Sequence, residues 1–236
     1  MTTRTKSRPP AKEAQRRAKA QAEAAAVQRQ RRRSRNLKWV AAGVVIAVVV
    51  GGLYAIFRAE TESATTAAAP GAYEVGSPGP GQNAPDFTLP SATGQEITLS
   101  DFRGKNVLLY FHEGLGCQPC WDQIRDLEAE TDRLDAAGID ELVNITSAPT
   151  DLLAQKMRDD GLRSLALSDP GLDVIRNYEA NQYGMMGDSR AGHSFILVNS
   201  DGEIVWRADY GGAPDYTMYV SLDRLFADLT AGRIDA

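Results

Sequence analysis

Cys117 and Cys120 are the only cysteines in the chain, and two residues separate them. They follow a continuous apolar run at residues 107–111, which is typical of a strand buried on both faces. Pro119 suits the first turn of a helix, where its missing N–H leaves no bond unmade. A strand, a loop and a helix that begins with a C-x-x-C pair together predict a thiol–disulfide redox site.

The predicted helix gives the two sulfurs different roles. Cys117 lies just before it, where free backbone N–H groups and the helix dipole stabilise a thiolate, so we expect Cys117 to attack. Cys120 lies one turn further on, on the inward stripe with Ile124 and Leu127, where it is shielded and within disulfide reach. We therefore expect Cys120 to resolve the mixed disulfide that Cys117 forms.

Three other titratable residues are candidates for the site. Glu113 precedes Cys117 by four positions and is a candidate to take the proton from the resolving thiol; an ordinary loop carboxylate is the alternative. His193 opens a predicted strand beside the cysteine loop, either as a proton shuttle or as a cap for that strand. His112 ends the central strand, and we expect it to be packed or hydrogen-bonded there.

A structural zinc site is the alternative interpretation of the C-x-x-C pair. Such a site needs four ligands, and the chain offers no second cysteine pair and only two histidines, His112 and His193. The redox interpretation is therefore favoured, and we expect neither a bound metal nor a cofactor.

The elements that must position this loop follow from the hydrophobic periodicity of residues 86–229. Strands and helices alternate early and a hairpin comes late, so the predicted architecture is α/β, a mixed central sheet covered by helices. Strands are expected at residues 86–89, 96–99, 107–111, 141–146, 165–167, 194–198 and 203–207. Helices are expected from Pro119 to Gly138 and at residues 150–160, 172–178 and 218–229.

The charge distribution predicts a membrane anchor. Residues 1–38 hold thirteen lysines and arginines against two glutamates, a net charge of +11, whereas the remainder holds thirteen basic against 29 acidic residues, a net charge of −16. Residues 39–57, directly after the basic tail, are nineteen residues without a charge. They are long enough to cross a hydrocarbon core of roughly 30 Å, so we expect an N-terminal transmembrane helix.

The basic residues precede the predicted membrane helix, and only Arg58 follows it closely. The positive-inside rule therefore predicts a single-pass protein of the cell membrane with a cytoplasmic N-terminus and an extracytoplasmic C-terminal domain. A signal peptide cleaved after residues 67–69 is the alternative, but its long basic region and Pro70 directly after the cut favour a retained anchor. A compartment outside the cytosol permits a disulfide.

Composition predicts the remaining boundaries. The tail, residues 1–38, has no aromatic residue, and we expect it to lie against anionic lipid rather than bind nucleic acid. Residues 58–82 are rich in Ala, Thr, Gly, Ser and Pro and are expected to be a flexible linker. Residues 83–236 are expected to form the exported domain.

Several motifs follow one another in a recognisable order: APDFTL at 84–89, LSDFRGK at 99–105, the C-x-x-C loop, LSDP at 167–170, and FILV at 195–198. Over about residues 83–230 they resemble the thioredoxin-like superfamily. The chain is similar to peroxiredoxins of the AhpC/TSA family and to TlpA-like membrane-anchored thiol–disulfide oxidoreductases. The resemblance implies a thioredoxin-like fold and thiol-based redox activity outside the cytoplasm.

The chain also departs from these families. Peroxiredoxins carry a proline, a threonine four residues on and the peroxidatic cysteine three further, and those places here hold Glu113, Cys117 and Cys120. Gly192 stands where TlpA-like proteins have a cis-proline, and Arg190 lies two positions before the place of the peroxiredoxin arginine.

Residues and resemblance together predict a membrane-anchored thiol–disulfide oxidoreductase that acts through Cys117 and Cys120. A thiol peroxidase, that is a peroxiredoxin-like antioxidant enzyme, is the first alternative. The expected substrates are protein thiols or disulfides, or a peroxide. An electron-donor or electron-acceptor protein is expected to return the cysteine pair to its starting redox state.

A copper-delivery module of the Sco type is the second alternative. Sco proteins share the anchor and the fold, and they bind copper with two cysteines and a distant histidine that opens a late strand, as His193 does here. Their cysteines are separated by three residues rather than two.

Overall fold

A computed structural model describes residues 73–234. The predicted basic tail, the predicted membrane helix and residues 58–72 of the predicted linker lie outside the described residues. None of the helices that are described is long and apolar enough to cross a membrane.

The secondary structure matches the predicted order of elements. Strands β1 to β7 are Thr88–Pro90, Glu96–Thr98, Val107–Phe111, Glu141–Thr146, Leu165–Ser168, Ser194–Val198 and Ile204–Asp209. Helices α1 to α5 are Gln118–Ala129, Thr131–Ala136, Thr150–Asp160, Asp173–Asn177 and Leu222–Gly232. Short 3₁₀ turns occur at Leu99–Phe102, Ala180–Gln182 and Gly187–Ser189.

A mixed sheet of five strands organises the domain, in the order β5-β4-β3-β6-β7. β3 pairs in parallel with β4 and antiparallel with β6, so the strand that leads into the cysteine loop is central and fully buried. β1 and β2 form the separate antiparallel hairpin that the sequence predicted. The predicted mixed sheet covered by helices is therefore confirmed.

The two faces of the sheet are covered by different elements, because successive residues of a strand point to opposite sides. Leu108 and Tyr110 of β3 face a core built with helices α1, α2, α3 and α5. Leu109 and Phe111 face the other core, which contains the β1–β2 hairpin and helix α4. The cysteines belong to the first of these cores.

Two helix predictions need correction. The helix expected from Pro119 to Gly138 breaks at Glu130, whose φ of −112° and ψ of 43° leave the helical region. The last helix begins at Leu222 rather than at residue 218, because the backbone before Leu222 is hydrogen-bonded to a residue outside the helix. The N–H of Val220 is donated to the side-chain oxygen of Gln123 at 2.7 Å, which holds this segment extended.

The folded domain begins before residue 83, where the sequence placed its boundary. Glu74 exchanges two backbone hydrogen bonds with Asp209, at 3.0 and 2.9 Å, and the N–H of Gly81 is donated to the carbonyl of Ile204 at 2.8 Å. Of the predicted linker, residues 73–82 thus cover the outer edge of β7. An uncovered edge strand is open to pairing with other chains. The backbone hydrogen bonds of residues 73–82 occupy the edge of β7, and they hold this Gly- and Pro-rich segment in an ordered position.

Candidate active site

The cysteine pair lies at the start of α1, as predicted. Cys117 is the residue before the first helical residue, Pro119 lies in the first turn, and Cys117 and Cys120 form a disulfide with a Cα–Cα distance of 5.4 Å. Cys117 is 5% exposed and Cys120 is fully buried. Cys117 is therefore the more accessible of the two cysteines.

The loop before the pair depends on Gly114. This residue has a φ of +85°, and a Cβ built on it would overlap the hydroxyl of Thr146, so only glycine fits. Its carbonyl accepts two hydrogen bonds, from the N–H of Cys117 at 3.0 Å and from the indole N–H of Trp121 at 3.0 Å. Trp121 is completely buried, so it supports the loop from inside.

Glu113 lies in the same loop and is 6% exposed. Its Oε1 accepts the backbone N–H of Met185 at 2.8 Å. The carboxylate therefore connects the cysteine loop to a second loop, residues 184–190. Met185 and Met186 of that second loop are half exposed, as is Leu115 of the cysteine loop.

Arg190 ends the second loop close to the cysteines. A Cβ built on Gly116 would lie 3.1 Å from an Nη of the Arg190 guanidinium. Gly116 directly precedes Cys117, so the structure places a positive charge against the cysteine loop. Arg190 lies two positions from the place of the peroxiredoxin arginine in the sequence, and the fold brings it to the cysteine loop.

Gly192 lies where backbone segments meet most closely. A Cβ built on it would overlap the carbonyl group of Tyr183, and the next residue, His193, donates its backbone N–H to that same carbonyl at 2.8 Å. This close approach fixes the second loop against the start of β6. It also explains why the position of a thioredoxin-type proline carries a residue without a side chain.

The two histidines of the chain face each other across the β3–β6 ladder. Phe111 pairs with Ser194, so the next position on each strand, His112 and His193, stand opposite one another. Both side chains are fully buried. The ring of Tyr110 contacts both, stacked on His112 at a centroid distance of 5.2 Å and edge-on to His193 at 5.1 Å.

Burial keeps both imidazoles neutral. Loss of solvation lowers the pKa of His112 to about 3, and the same cause, with a smaller contribution from His112, lowers the pKa of His193 to about 3. His112 Nδ1 accepts the N–H of Gly114 at 3.3 Å, and His193 Nδ1 lies 3.0 Å from the hydroxyl of Tyr110. The packed and hydrogen-bonded His112 that the sequence predicted is confirmed.

Metal binding finds no geometric support in the described residues. Within residues 73–234 no three His, Cys, Asp or Glu side chains are placed to hold one ion. A metal-binding imidazole nitrogen must be free of its proton, whereas the bond from Gly114 to Nδ1 of His112 leaves the proton on Nε2.

Sequence reasoning missed two contributors to the site. Tyr110 was read only as part of an apolar run, although period-2 alternation puts it on the same face as His112. The contact of Met185 with Glu113 joins residues 72 positions apart, and no local pattern signals it. Glu113 and His193 both lie in the site, and their roles in catalysis stay predictions.

The fold and the site define a thioredoxin-like thiol oxidoreductase. Among solved structures, the peroxidoxin BcpB of Mycobacterium tuberculosis is similar with a TM-score of 0.54 at 18% identity, over 66% of this chain and 98% of that one. Residues 80–207 match the AhpC/TSA family. The chain belongs to the AhpC/TSA family.

Two curated relatives are peroxiredoxins by name. A Mycobacterium tuberculosis protein assigned to the peroxiredoxins is 34% identical over 131 residues, 53% of this chain and 82% of that protein. Peroxiredoxin Bcp of Escherichia coli is 32% identical over 127 residues, 52% of this chain and 81% of Bcp. The chain is therefore an oxidoreductase that acts through thiols.

A third relative is named for disulfide exchange. The thiol–disulfide oxidoreductase ResA of Halalkalibacterium halodurans is 31% identical over 126 residues, 53% of this chain and 65% of ResA. The two peroxiredoxin relatives are covered more fully than ResA. The comparisons thus favour the peroxiredoxin alternative over the dithiol exchange that the sequence put first.

Proposed function

We propose that this protein reduces hydroperoxides with the Cys117–Cys120 pair. The observation that carries the proposal is the disulfide across the first turn of α1, in which Cys117 keeps 5% of its surface exposed and Cys120 is fully buried. A peroxidase with both cysteines in one turn reaches its oxidised end state within a single chain. Membership of the AhpC/TSA family supports the peroxide as oxidant.

In the proposed cycle, the Cys117 thiolate attacks the terminal oxygen of the hydroperoxide. Cys120 holds the position of the peroxidatic cysteine in peroxiredoxins, but we assign the attack to Cys117 because Cys120 is fully buried. An S–O bond forms, the O–O bond breaks, and the leaving alkoxide takes a proton to become an alcohol, or water when the substrate is hydrogen peroxide. Cys120 then attacks the sulfenic sulfur of Cys117, which forms the disulfide and releases water. A dithiol protein returns two electrons and two protons.

Surrounding residues support each step of this cycle. The positive end of α1 and the nearby guanidinium of Arg190 favour the Cys117 thiolate. Glu113 is buried beside the pair and is the proposed acceptor of the proton that Cys120 loses. His193 is proposed to act through hydrogen bonding, since its neutral buried ring does not readily gain a proton.

Peroxide consumption by the full-length chain tests this function. With dithiothreitol as reductant, wild type is expected to remove hydrogen peroxide and tert-butyl hydroperoxide catalytically, and the Cys117→Ser/Cys120→Ser double variant is expected to match the buffer alone. Equal consumption by both proteins would contradict the proposal.

Dithiol–disulfide exchange with protein thiols is the second candidate. The C-x-x-C spacing and the similarity to ResA favour it. Reduction of insulin disulfides by the wild-type chain, without any consumption of peroxide, would select this candidate over the first.

We further propose that the enzyme is anchored in the cell membrane and acts outside the cytoplasm. The uncharged residues 39–57 and the basic residues before them support this arrangement. The only two cysteines make it testable, because a membrane-impermeant maleimide would label the reduced pair in intact cells. Labelling that appears only after the cells are permeabilised would place the domain in the cytoplasm.

A further inference from the structure

Three buried polar atoms on one face of the sheet, at the end that carries the cysteine loop, have no protein partner among the described residues. They are Nε2 of His112, Nε2 of His193 and Oγ1 of Thr146. Thr146 ends β4, His112 directly follows β3, and His193 directly precedes β6. A buried donor without an acceptor is destabilising, so a group of them beside a redox pair indicates a partner that arrives during the reaction.

The hydrogen bond at Nδ1 determines which ring nitrogen of His112 carries the proton. The Gly114 N–H is a donor, so Nδ1 of His112 must supply the lone pair, and the proton of the neutral ring lies on Nε2. Burial, which lowers the pKa of His112 to about 3, keeps the ring in this neutral form. The hydroxyl of Tyr110 meets Nδ1 of His193, an arrangement that fits the same tautomer.

The register of the sheet turns both rings toward the cysteine helix. His112 and His193 occupy the same face as Tyr110 and Phe195, whose side chains share one core with Cys120. The ring of His112 contacts that of Trp121, the residue after Cys120, edge to face at a centroid distance of 5.0 Å. The donors therefore lie beneath the first turn of α1.

Cys120 needs such donors once the disulfide opens. Its side chain is fully buried, so the charge of a thiolate there is cut off from solvent. A neutral imidazole N–H stabilises that charge without adding a positive charge of its own. The indole N–H of Trp121, the other nearby donor, is already bonded to the carbonyl of Gly114.

We propose that His112, with His193 beside it, donates a hydrogen bond to the sulfur of Cys120 in the reduced enzyme and so stabilises the thiolate that leaves when the disulfide opens. The inference rests on the proposed function in one respect, namely that the pair cycles between dithiol and disulfide. When a thiolate of the reductant attacks Cys117, a new S–S bond forms and the Cys117–Cys120 bond breaks. Its electron pair leaves on the sulfur of Cys120, to which Nε2–H of His112 donates a hydrogen bond.

The test compares two amides at one position. Asparagine places an oxygen near the position of Nδ1, so His112→Asn keeps an acceptor for Gly114 and loses the donor at Nε2. Glutamine reaches the position of Nε2, so His112→Gln keeps a donor there. Tyr178→Phe, which removes a partly buried hydrogen bond to Pro85 on the opposite face of the sheet, is the matched control.

The readout is the equilibrium of the full-length chain with glutathione redox buffers, with the reduced fraction counted by maleimide labelling. His112→Asn is expected to lower the equilibrium constant for reduction about 10-fold, a shift of about 30 mV toward more negative potential, because the reduced state loses its donor. His112→Gln is expected to stay within about 3-fold of wild type, and Tyr178→Phe to match it. Equal shifts in both histidine variants, or no shift in either, would overturn the inference.

A measurement on the wild-type chain keeps the inference testable if a variant fails to fold. Histidine nitrogen NMR is expected to show His112 as the Nε2–H tautomer at pH 7, with its Nε2–H resonance moving downfield when the pair is reduced. The Nδ1–H tautomer, or a resonance unmoved by reduction, would contradict the inference. If wild type cannot be cycled between dithiol and disulfide at all, the proposed function fails instead.

Discussion

Oε1 of Glu113 accepts the backbone N–H of Met185 at 2.8 Å, and this bond joins two loops that flank the redox pair. The carboxylate therefore anchors the second loop, and in the proposed cycle it also accepts a proton from Cys120. Substitutions separate the tasks, because an amide oxygen still accepts a hydrogen bond but is a far weaker base.

Glu113→Gln is expected to leave thermal stability near that of wild type and to slow disulfide formation by about 100-fold, the loss typical of a missing general base. Glu113→Ala is expected to lose stability as well, since the N–H of Met185 is left unpaired. Tryptophan fluorescence after one equivalent of peroxide follows the reaction. A wild-type rate in Glu113→Gln would leave the residue with an anchoring role alone.

Arg190 carries the positive charge nearest to Gly116 in the cysteine loop. Arg190→Ala is expected to slow the reaction of reduced Cys117 with peroxide by about 10-fold, because an opposite charge no longer favours the thiolate. Arg158→Ala, which removes an exposed arginine from α3, is the control and should react at the wild-type rate. Stopped-flow kinetics at low ionic strength measure both, and equal rates would remove Arg190 from the mechanism.

A buried ion pair holds the residues before β1 to the edge of the sheet. Arg207 and Asp209, both with fully buried side chains, share hydrogen bonds of 2.8 and 3.1 Å, and Asp209 also accepts the N–H of Gly76 at 2.7 Å. Asp209→Asn leaves the guanidinium without its counter-charge, which is expected to lower the free energy of unfolding by about 3–5 kcal/mol.

Urea denaturation measures this loss. Asp122→Asn, which breaks an exposed pair with Arg125, is the control and is expected to change the free energy of unfolding by no more than about 1 kcal/mol. A similar small change in Asp209→Asn would show that the buried pair does not hold this edge together.

The buried histidines make stability depend on pH. Their pKa values lie at about 3 in the folded chain, whereas an unfolded histidine titrates near 6.5, so below about pH 6.5 the unfolded state binds more protons. The stabilisation is complete above that pH and is lost as pH falls toward 3, with a slope that approaches about 1.4 kcal/mol per pH unit for each histidine.

Free energies of unfolding from urea titrations between pH 7 and pH 5 measure this slope. His112→Asn removes one of the two titrating groups and is expected to remove about half of the slope in this window. A slope that is the same in wild type and in the variant would mean that His112 is protonated in the folded state.

Local patterns sufficed to predict much of this fold. The apolar runs at β3, β4 and β6 and the proline in the first turn of α1 locate the cysteine loop at the end of a central strand. The alternation of residues along β3 and β6 also predicts that His112 and His193 face each other. This prediction requires knowing that the two strands are antiparallel neighbours.

Contacts between distant residues account for what the sequence did not predict. The composition of residues 73–82 is that of a flexible linker, and only the exposed edge of β7 gives them an ordered position. The close approach of Gly192 to Tyr183 and the bond of Glu113 to Met185 likewise depend on the packing of the second loop, for which no periodic pattern exists.

Trapping of the sulfenic acid in single-cysteine variants tests the central claim, that Cys117 meets the peroxide and Cys120 resolves it. Full-length Cys120→Ser, treated with one equivalent of hydrogen peroxide and dimedone, is expected to carry one dimedone adduct on Cys117 by mass spectrometry, and Cys117→Ser is expected to carry none. An adduct on Cys120 in Cys117→Ser, together with an unreactive Cys120→Ser, would contradict the account.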